Sequence, residues 1–436
     1  MGLNNVSNYV DLIFLIILGA GVVLYAYKAL YIIMAFGNKI RFKKAKKTNK
    51  FAILIPARNE SRVIGDLLDA ISKQTYDKNA YDVFVIVKEA NDPTIEIVKN
   101  YNYNIIVDSN QTCKGDALDT ALKQIYAGEK QYDAFMIFDA DNIPTESFLF
   151  EMNKAVDAGY DIGMGYRNSK NWDDGWVASC SGMTFSMINT FANKARAKFG
   201  VNCVYSGTGY YISDRVLSKF KGWPFKTLTE DYEISLYAIE NDLKTTYVEK
   251  AEYFDEQPVS FKSSVKQRER WVKGYMQARK LYIGKIFKKI FTDKQNKISK
   301  IEQTMGVIPL AIVLVDCVLY CLFQIAFVIW GLCIHSPVTF FVENMLRVIV
   351  ALYLSFAIFT GLEILAERKR IKMSGASKAL CIIMNPFFTA AYLPIAIKAM
   401  FSKNIGWAKI EHTRSLASIV DDEPAEDEIL DINEQK

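Results

Sequence analysis

From Leu12 to Phe36 the chain runs for 25 residues with Lys28 as its only charge. Nothing else in the sequence limits the fold as strongly. A helix of that length spans the ~30 Å hydrocarbon core of a bilayer, where each backbone amide has to be satisfied within its own segment. No small-residue cleavage pattern follows a short apolar core, so the run reads as a retained anchor rather than a removed leader. Seven basic residues and no acid then occupy Lys39 to Lys50. The positive-inside bias puts the N-terminus outside and the following domain in the cytoplasm. The basic stretch itself suits an anionic lipid surface.

Three more apolar stretches lie at residues 305–334, 346–365 and 379–397. The cluster Glu367-Arg-Lys-Arg370 is expected on the cytoplasmic side. Asp316, the one charge of the first stretch, either faces a polar path or sits near the cytoplasmic end. One N-terminal and three C-terminal crossings put the tail outside, whereas Lys398, Lys403, Lys409 and Arg414 favour the cytoplasm. Either a re-entrant 379–397 around Asn385-Pro386 or an extra turn within 305–334 reconciles them. Just before these stretches, Leu281 to Lys300 sets Leu281, Ile283, Ile286, Phe287, Ile290 and Phe291 against Lys285, Lys288, Lys289 and Lys294. That is the make-up of a basic helix lying in the membrane interface. From Asp421 the tail is strongly acidic and reads as disordered.

The part between anchor and interface helix has a different rhythm. Phe51-Ala-Ile-Leu-Ile55, Val83–Val87, Ile105–Val107 and Phe135–Phe138 read as short buried strands. Helical spacing over Ser61–Ser72 and Ala117–Tyr126 separates them. Such alternation predicts a parallel α/β sheet with both faces covered. No GxGxxG follows the first strand, which argues against an ordinary dinucleotide fold. The chain has only two histidines, His335 and His412, so a histidine metal site or catalytic triad is excluded. Its seven cysteines form no CxxC pair and are expected to be reduced in a cytoplasmic domain. The charge of +5 points to no nucleic-acid partner.

Three polar clusters carry chemistry. Asp139-Ala-Asp141 ends a buried strand, the place where open α/β sheets hold ligands. Two carboxylates one residue apart on a turn suit a hard divalent cation, Mg²⁺ or Mn²⁺, that in turn holds a diphosphate. Thr229-Glu-Asp231 offers a further carboxylate as a base. Gln267-Arg-Glu-Arg-Trp271 offers guanidinium forks for phosphate and an indole for a sugar.

These clusters, together with Ile55-Pro-Ala-Arg-Asn-Glu60, Lys114-Gly-Asp-Ala-Leu118 and Ser206-Gly-Thr-Gly209, resemble the membrane-integrated glycosyltransferases of family 2. That group includes the cellulose, hyaluronan, chitin and poly-N-acetylglucosamine synthases. The resemblance covers about residues 51–277 and implies a GT-A (Rossmann-like) α/β fold in a cytoplasmic domain beside an α-helical transmembrane region. The expected organisation is an anchor at 1–38, a basic linker at 39–50, the GT-A domain at 51–280, interface helices at 281–303, a membrane region at 304–402 and a polar acidic tail at 403–436. By the same resemblance Asp231 is the base and Asp139 and Asp141 hold the metal. Pro56, Arg58, Glu60, Lys114, Arg268 and Arg270 lie at the donor. Gly207, Thr208, Gly209, Glu230, Gln267 and Trp271 lie at the acceptor, with Glu230 alternatively a helix N-terminal acid. Lys88 stands where relatives carry an acid that contacts the nucleobase, so Glu89 or Asp92 is expected to substitute. Trp407 resembles a tryptophan that follows the last membrane element in some relatives, or is an interfacial anchor.

The resulting expectation is a multi-pass plasma-membrane enzyme that extends a β-linked polysaccharide from UDP-glucose or UDP-N-acetylglucosamine and couples synthesis to export. A non-processive transferase acting on a membrane lipid is the alternative. A catalytically silent scaffold or nucleotide-sensing subunit is a third reading, supported only by Lys88.

Overall fold

The computed structural model describes residues 3–306 and 308–402. The acidic tail, with Lys403, Trp407, Lys409, His412 and Arg414, lies outside the described residues.

The chain begins with two helices, α1 (Leu3–Tyr25) and α2 (Lys28–Ala35). The expected anchor at 12–36 is therefore displaced, since the apolar helix starts earlier and stops at Tyr25. The reason is Lys28. Its ammonium pairs with Glu302, so the chain leaves its membrane-like course at that charge. The basic linker is not loose either. Backbone amides of Ile40, Lys46 and Lys50 donate to Glu249, Asp157 and Asp133, stitching 39–50 along the domain.

Eight strands form one mixed sheet: β1 (Phe51–Pro56), β2 (Tyr81–Val87), β3 (Asn104–Val107), β4 (Ala134–Ile137), β5 (Ile143–Pro144), β6 (Ile162–Ser169), β7 (Tyr210–Ser213) and β8 (Thr245–Asp255). Their order is β3-β2-β1-β4-β7-β6-β8-β5. The half containing β1 to β4 is parallel, as the strand–helix alternation predicts, while β7 runs antiparallel to both β4 and β6. Alternate residues of β1 enter opposite cores: Phe51, Ile53 and Ile55 on one face, Ala52 and Leu54 on the other. The period of two thus buries a continuous apolar run between two helical layers.

Those layers contain α3 (Ile64–Ser72), α4 (Thr94–Lys99), α5 (Lys114–Ala127), α6 (Phe148–Asp157), α7 (Trp176–Met187), α8 (Lys194–Lys198), α9 (Asp214–Leu217) and α10 (Glu230–Glu240). A π-helical stretch at Ile188–Asn193 joins α7 to α8. Then α11 (Phe261–Thr292) runs unbroken for 32 residues. The expected boundary at 280/281 therefore falls inside one helix, which carries both the Gln267–Trp271 cluster and the basic interface stretch.

Next come α12 (Lys297–Met305), α13 (Ile308–Cys333), α14 (Thr339–Ala366), α15 (Gly375–Ala390) and α16 (Tyr392–Phe401). Four segments, 5–25, 312–333, 339–366 and 375–401, are long and apolar enough to cross a membrane. α13 holds no hidden turn, and Asp316 is buried within it. In the last segment α15 passes into α16 at Ala391, and Asn385-Pro386 lies inside α15. The buried Asn385 amide donates to Thr360 of α14 at 2.8 Å, which fixes that turn of helix. The helices pack in an open row: α1 on α13, α13 on α14, α14 on α15. Glu367-Arg-Lys-Arg370 folds back against the domain. Arg370 meets Glu249, Glu252 and Glu367 and lies 4.0 Å over the Tyr166 ring.

One glycine is indispensable to this arrangement. Gly209 has φ +66°, and a Cβ there would run into the Tyr253 ring, whose hydroxyl donates to the Thr208 carbonyl at 2.9 Å. Gly209→Ala is expected to cost about 3 kcal/mol from left-handed strain plus overpacking. Thermal unfolding of the purified variant checks this.

Candidate active site

Several chain segments meet over the C-terminal ends of β1 and β4 around a cavity of about 400 Å³. Pro56 closes β1, and the following loop brings Arg58 and Glu60 to the cavity wall. That loop is held from behind. Asp92 accepts the Asn59 and Thr94 amides at 2.8 and 2.9 Å, and the Thr94 hydroxyl accepts the Glu60 amide. Asp92 is thus a buried loop clamp and does not line the cavity, contrary to its expected donor role. Glu89 is exposed and also lies off the wall, and Lys88 is half-buried beside it.

The Asp139–Asp141 turn follows β4. The Asp139 amide donates to the Thr208 hydroxyl at 2.8 Å, and Thr208 in turn bonds Asn142. Asp141 is buried and accepts from the Asn142 amide group and the Glu256 backbone. Asp139 turns its carboxylate outward, 40% exposed, with Oδ1 2.6 Å from the Lys114 ammonium. Lys114 opens α5 and also donates to the Gly207 carbonyl at 2.6 Å. Of the expected acceptor residues Gly207, Thr208 and Gly209, the first lines the cavity, together with the preceding Ser206. Thr208 and Gly209 sit behind it, because the first braces the Asp139 turn and the second makes room for Tyr253.

Glu230 and Asp231 start α10 and face the same space. Burial raises the Glu230 carboxyl to about 7, with Lys114 opposing and the neighbouring Asp231 charge adding. Burial likewise raises Asp231, against the Tyr232 amide and Lys114. A raised carboxyl keeps its proton to higher pH, so its basic form is lost early on acidification. If Asp231 is the base, kcat/KM is expected to fall on acidification, beginning at a higher pH than an ordinary aspartate would give. Glu230→Gln, by removing the like charge, is expected to move that limb to lower pH. Parallel pH–rate profiles of the two proteins check this.

On α11, Gln267, Arg270 and Trp271 share one helical face at i, i+3 and i+4 and line the cavity. The Trp271 ring meets Phe185 edge-on, with centroids 5.6 Å apart. Arg268 points elsewhere, and its expected diphosphate contact is corrected. It lies about 100° around the helix and is buried, donating to the Phe388 carbonyl at 2.7 Å and lying 4.0 Å over the Phe388 ring.

Several lining residues escaped the sequence reading. Arg167 ends β6, ion-pairs with Asp255, donates to the Ser206 carbonyl at 2.7 Å and lies 3.6 Å over Phe185. A lone arginine in a buried strand was the available signal, since such a charge requires a partner. Tyr205, Tyr275 and Tyr392 also line the wall, and nothing local marks them.

A second cavity of about 750 Å³ adjoins the first. Ile188, Tyr205, Tyr232 and Tyr275 line both. Its other walls include Gly21, Val22 and Tyr25 of α1, Val313 of α13 and Phe359 of α14. Lys28 and Arg196 meet there on Glu302.

This fold and these motifs fit one family. Residues 48–274 match the model described as glycosyltransferase like family 2, and the chain belongs to that family. It is 24% identical over 249 residues to the probable glycosyltransferase YdaM of Bacillus subtilis, which covers 56% of this chain and 59% of that protein. It is also 24% identical over 234 residues to glucomannan 4-beta-mannosyltransferase 7 of Arabidopsis thaliana, 51% of this chain and 42% of that one. The chain thus spans about half the length of these curated relatives. Among solved structures it is similar to the mannosyltransferase PcManGT of Pyrobaculum calidifontis in complex with GDP-Man and Mn²⁺. The TM-score is 0.54 and the identity 13%, over 92% of this chain and 100% of that one.

Proposed function

We propose that the chain is an inverting glycosyltransferase that moves a hexosyl unit from a UDP-linked donor to a hydroxyl of an acceptor held in the membrane. The observation that carries this reading is one cavity lined by Asp139, Asp141, Asp231, Arg270 and Trp271 together. The acceptor hydroxyl gives its proton to Asp231 as its oxygen attacks the anomeric carbon. The bond from that carbon to the diphosphate oxygen breaks on the opposite face, which inverts the centre. Arg58, Lys114 and Arg270 supply positive charge for the departing diphosphate.

Asp139 and Asp141 would hold Mg²⁺ or Mn²⁺. No cluster of three or more His, Cys, Asp or Glu ligands occurs among the described residues. That fits an ion bound by one or two carboxylates and completed by substrate phosphates, and Asp139 is suitably open to the cavity. Such an ion supplies charge stabilisation at the leaving diphosphate. The GDP-Man and Mn²⁺ of the structurally similar mannosyltransferase agree with a divalent ion.

The acceptor assignment rests on the second cavity, whose walls come from the apolar helices and which meets the first at three tyrosines and Ile188. A lipid-anchored acceptor reaches the anomeric carbon by that route. The membrane reading rests on four apolar helices, with the catalytic domain on the cytoplasmic side by the positive-inside bias. Extension of a β-linked saccharide is the second reading, favoured by Trp271 beside Gln267 on the cavity wall. Purified protein is expected to release UDP from UDP-glucose or UDP-N-acetylglucosamine, and release is expected to stop in a chelator. The absence of Asp231-dependent release with any nucleotide sugar would defeat the proposal.

A further inference from the structure

The segment Gly375–Phe401 qualifies as a span by length and apolarity, yet its contacts describe something else. The helical hydrogen bonds continue through Ala391, whose amide donates to the Phe387 carbonyl and whose carbonyl accepts from the Ile395 amide, so α15 and α16 form one run of 27 residues. Its start is tied to the catalytic domain by the Ser374 amide, which donates to Asp173 at 3.1 Å. Its middle packs Cys381 and Phe388 against Trp172, Val177 and Cys180 of the domain. Past Ala391, the end of α16 lies against α11. Lys273 donates to the Ala399 and Ser402 carbonyls at 3.1 and 2.6 Å, and Lys398 pairs with Glu269 at 2.8 Å. Both ends and the middle therefore touch one domain. Meanwhile Ile383, Phe387, Ile397 and Met400 stay exposed on the other side, as on a helix pair lying flat in the interface.

The same helical run brings Tyr392, 121 positions after Trp271, to the catalytic wall. Arg268 fixes it there, with one guanidinium nitrogen on the Phe388 carbonyl and the guanidinium carbon 4.0 and 5.0 Å from the Phe388 and Tyr392 ring centroids. Burying a guanidinium is costly unless it does structural work of this kind.

We propose that α15–α16 does not cross the bilayer but lies along the domain as a strap, that Tyr392 is an acceptor-binding residue on the membrane side of the cavity, and that Arg268 is the positioning residue holding it. This rests on the glycosyltransferase reading above. It also resolves the parity conflict, because three crossings, α1, α13 and α14, leave Ser402 on the side of the catalytic domain.

The test has two arms in the full-length protein in nanodiscs. In the first, UDP release is followed while either UDP-sugar or the mole fraction of co-purified lipid extract is varied. Tyr392→Ala is expected to raise the lipid KM about tenfold, the worth of one ring contact, and to leave the donor KM unchanged. Tyr392→Phe is expected to restore it. An unchanged lipid KM, or equal losses for donor and lipid, overturns the acceptor role. In the second arm, Lys273→Cys and Ser402→Cys are combined and treated with a short bis-maleimide. Cross-linking is expected because the two sites touch. A crossing helix would part them by the hydrocarbon thickness, so single variants that label but never cross-link overturn the strap. This arm needs no activity. A wild type that releases no UDP thus overturns the function and the Tyr392 role, while the cross-link decides the strap alone.

Discussion

Asp231→Asn is expected to lower sugar transfer by about 10²–10⁴-fold, the usual contribution of a positioned general base. Binding of the donor nucleotide should stay within about twofold of wild type, because the groups facing the diphosphate, Arg58, Lys114 and Arg270, are untouched. The local fold should tolerate the change. Asp231 sits in the first turn of α10, its backbone carbonyl still accepts the Ser235 hydroxyl at 2.9 Å, and an asparagine keeps the shape of the side chain. The neighbouring Gly207, whose φ is +83°, leaves the space before Asp231 open: a Cβ there would stand 3.8 Å from Asp231 Oδ2. Initial rates of UDP release, paired with calorimetric UDP binding, separate the two effects. A variant with near-wild-type turnover would remove Asp231 from the chemistry.

Asp139→Asn is the second large effect. Its carboxylate is the more open of the pair, and its loss would leave Asp141, already engaged by Asn142 and the Glu256 amide, as the only acid of the turn. A divalent ion at a leaving diphosphate contributes several kcal/mol of stabilisation, so a loss of about 10³-fold is expected. Raising Mn²⁺ should recover part of it, and EDTA should silence the wild type until Mn²⁺ or Mg²⁺ is restored. The Lys114–Asp139 ion pair adds a control. The carboxamide introduced by Asp139→Asn can still accept from Lys114, so a loss that Mn²⁺ does not relieve would point to a misplaced lysine instead of a weakened ion. Full activity of the variant in chelator would contradict the assignment.

The sequence was most informative where a local pattern coincides with a local structure. β1, β2, β3 and β4 lie within two residues of their expected limits, because short apolar runs buried on both faces have few alternatives. Asp139, Asp141, Glu230, Asp231, Gln267, Arg270 and Trp271 were each named from motifs that the fold gathers into one cavity. Legibility ended where placement depends on distant partners. Nothing in Gln267–Trp271 distinguishes Arg268 from Arg270 except the helical angle between them, and that angle has meaning only once α15 is known to pack beside α11. Asp92 was expected at the donor from the family resemblance, but two backbone amides claim it. Apolarity likewise left residues 379–397 open between a crossing and a re-entrant segment, because the ties to Asp173, Lys273 and Glu269 are distant in sequence. Arg167 offered only the signal of a lone arginine in a buried strand, and Tyr392 entered the cavity with no local signature.

The measurement closest to the central claim follows the sugar. Full-length protein in nanodiscs made with co-purified lipids would be given Mn²⁺ and radiolabelled UDP-glucose or UDP-N-acetylglucosamine, with Asp231→Asn in parallel. Label from one donor is expected to move into the organic-extractable lipid fraction as a single-sugar product, in step with UDP release and only in the wild type. Label appearing instead in a high-molecular-weight, lipid-free polymer would contradict the lipid acceptor, and equal label transfer by Asp231→Asn would contradict the active site itself.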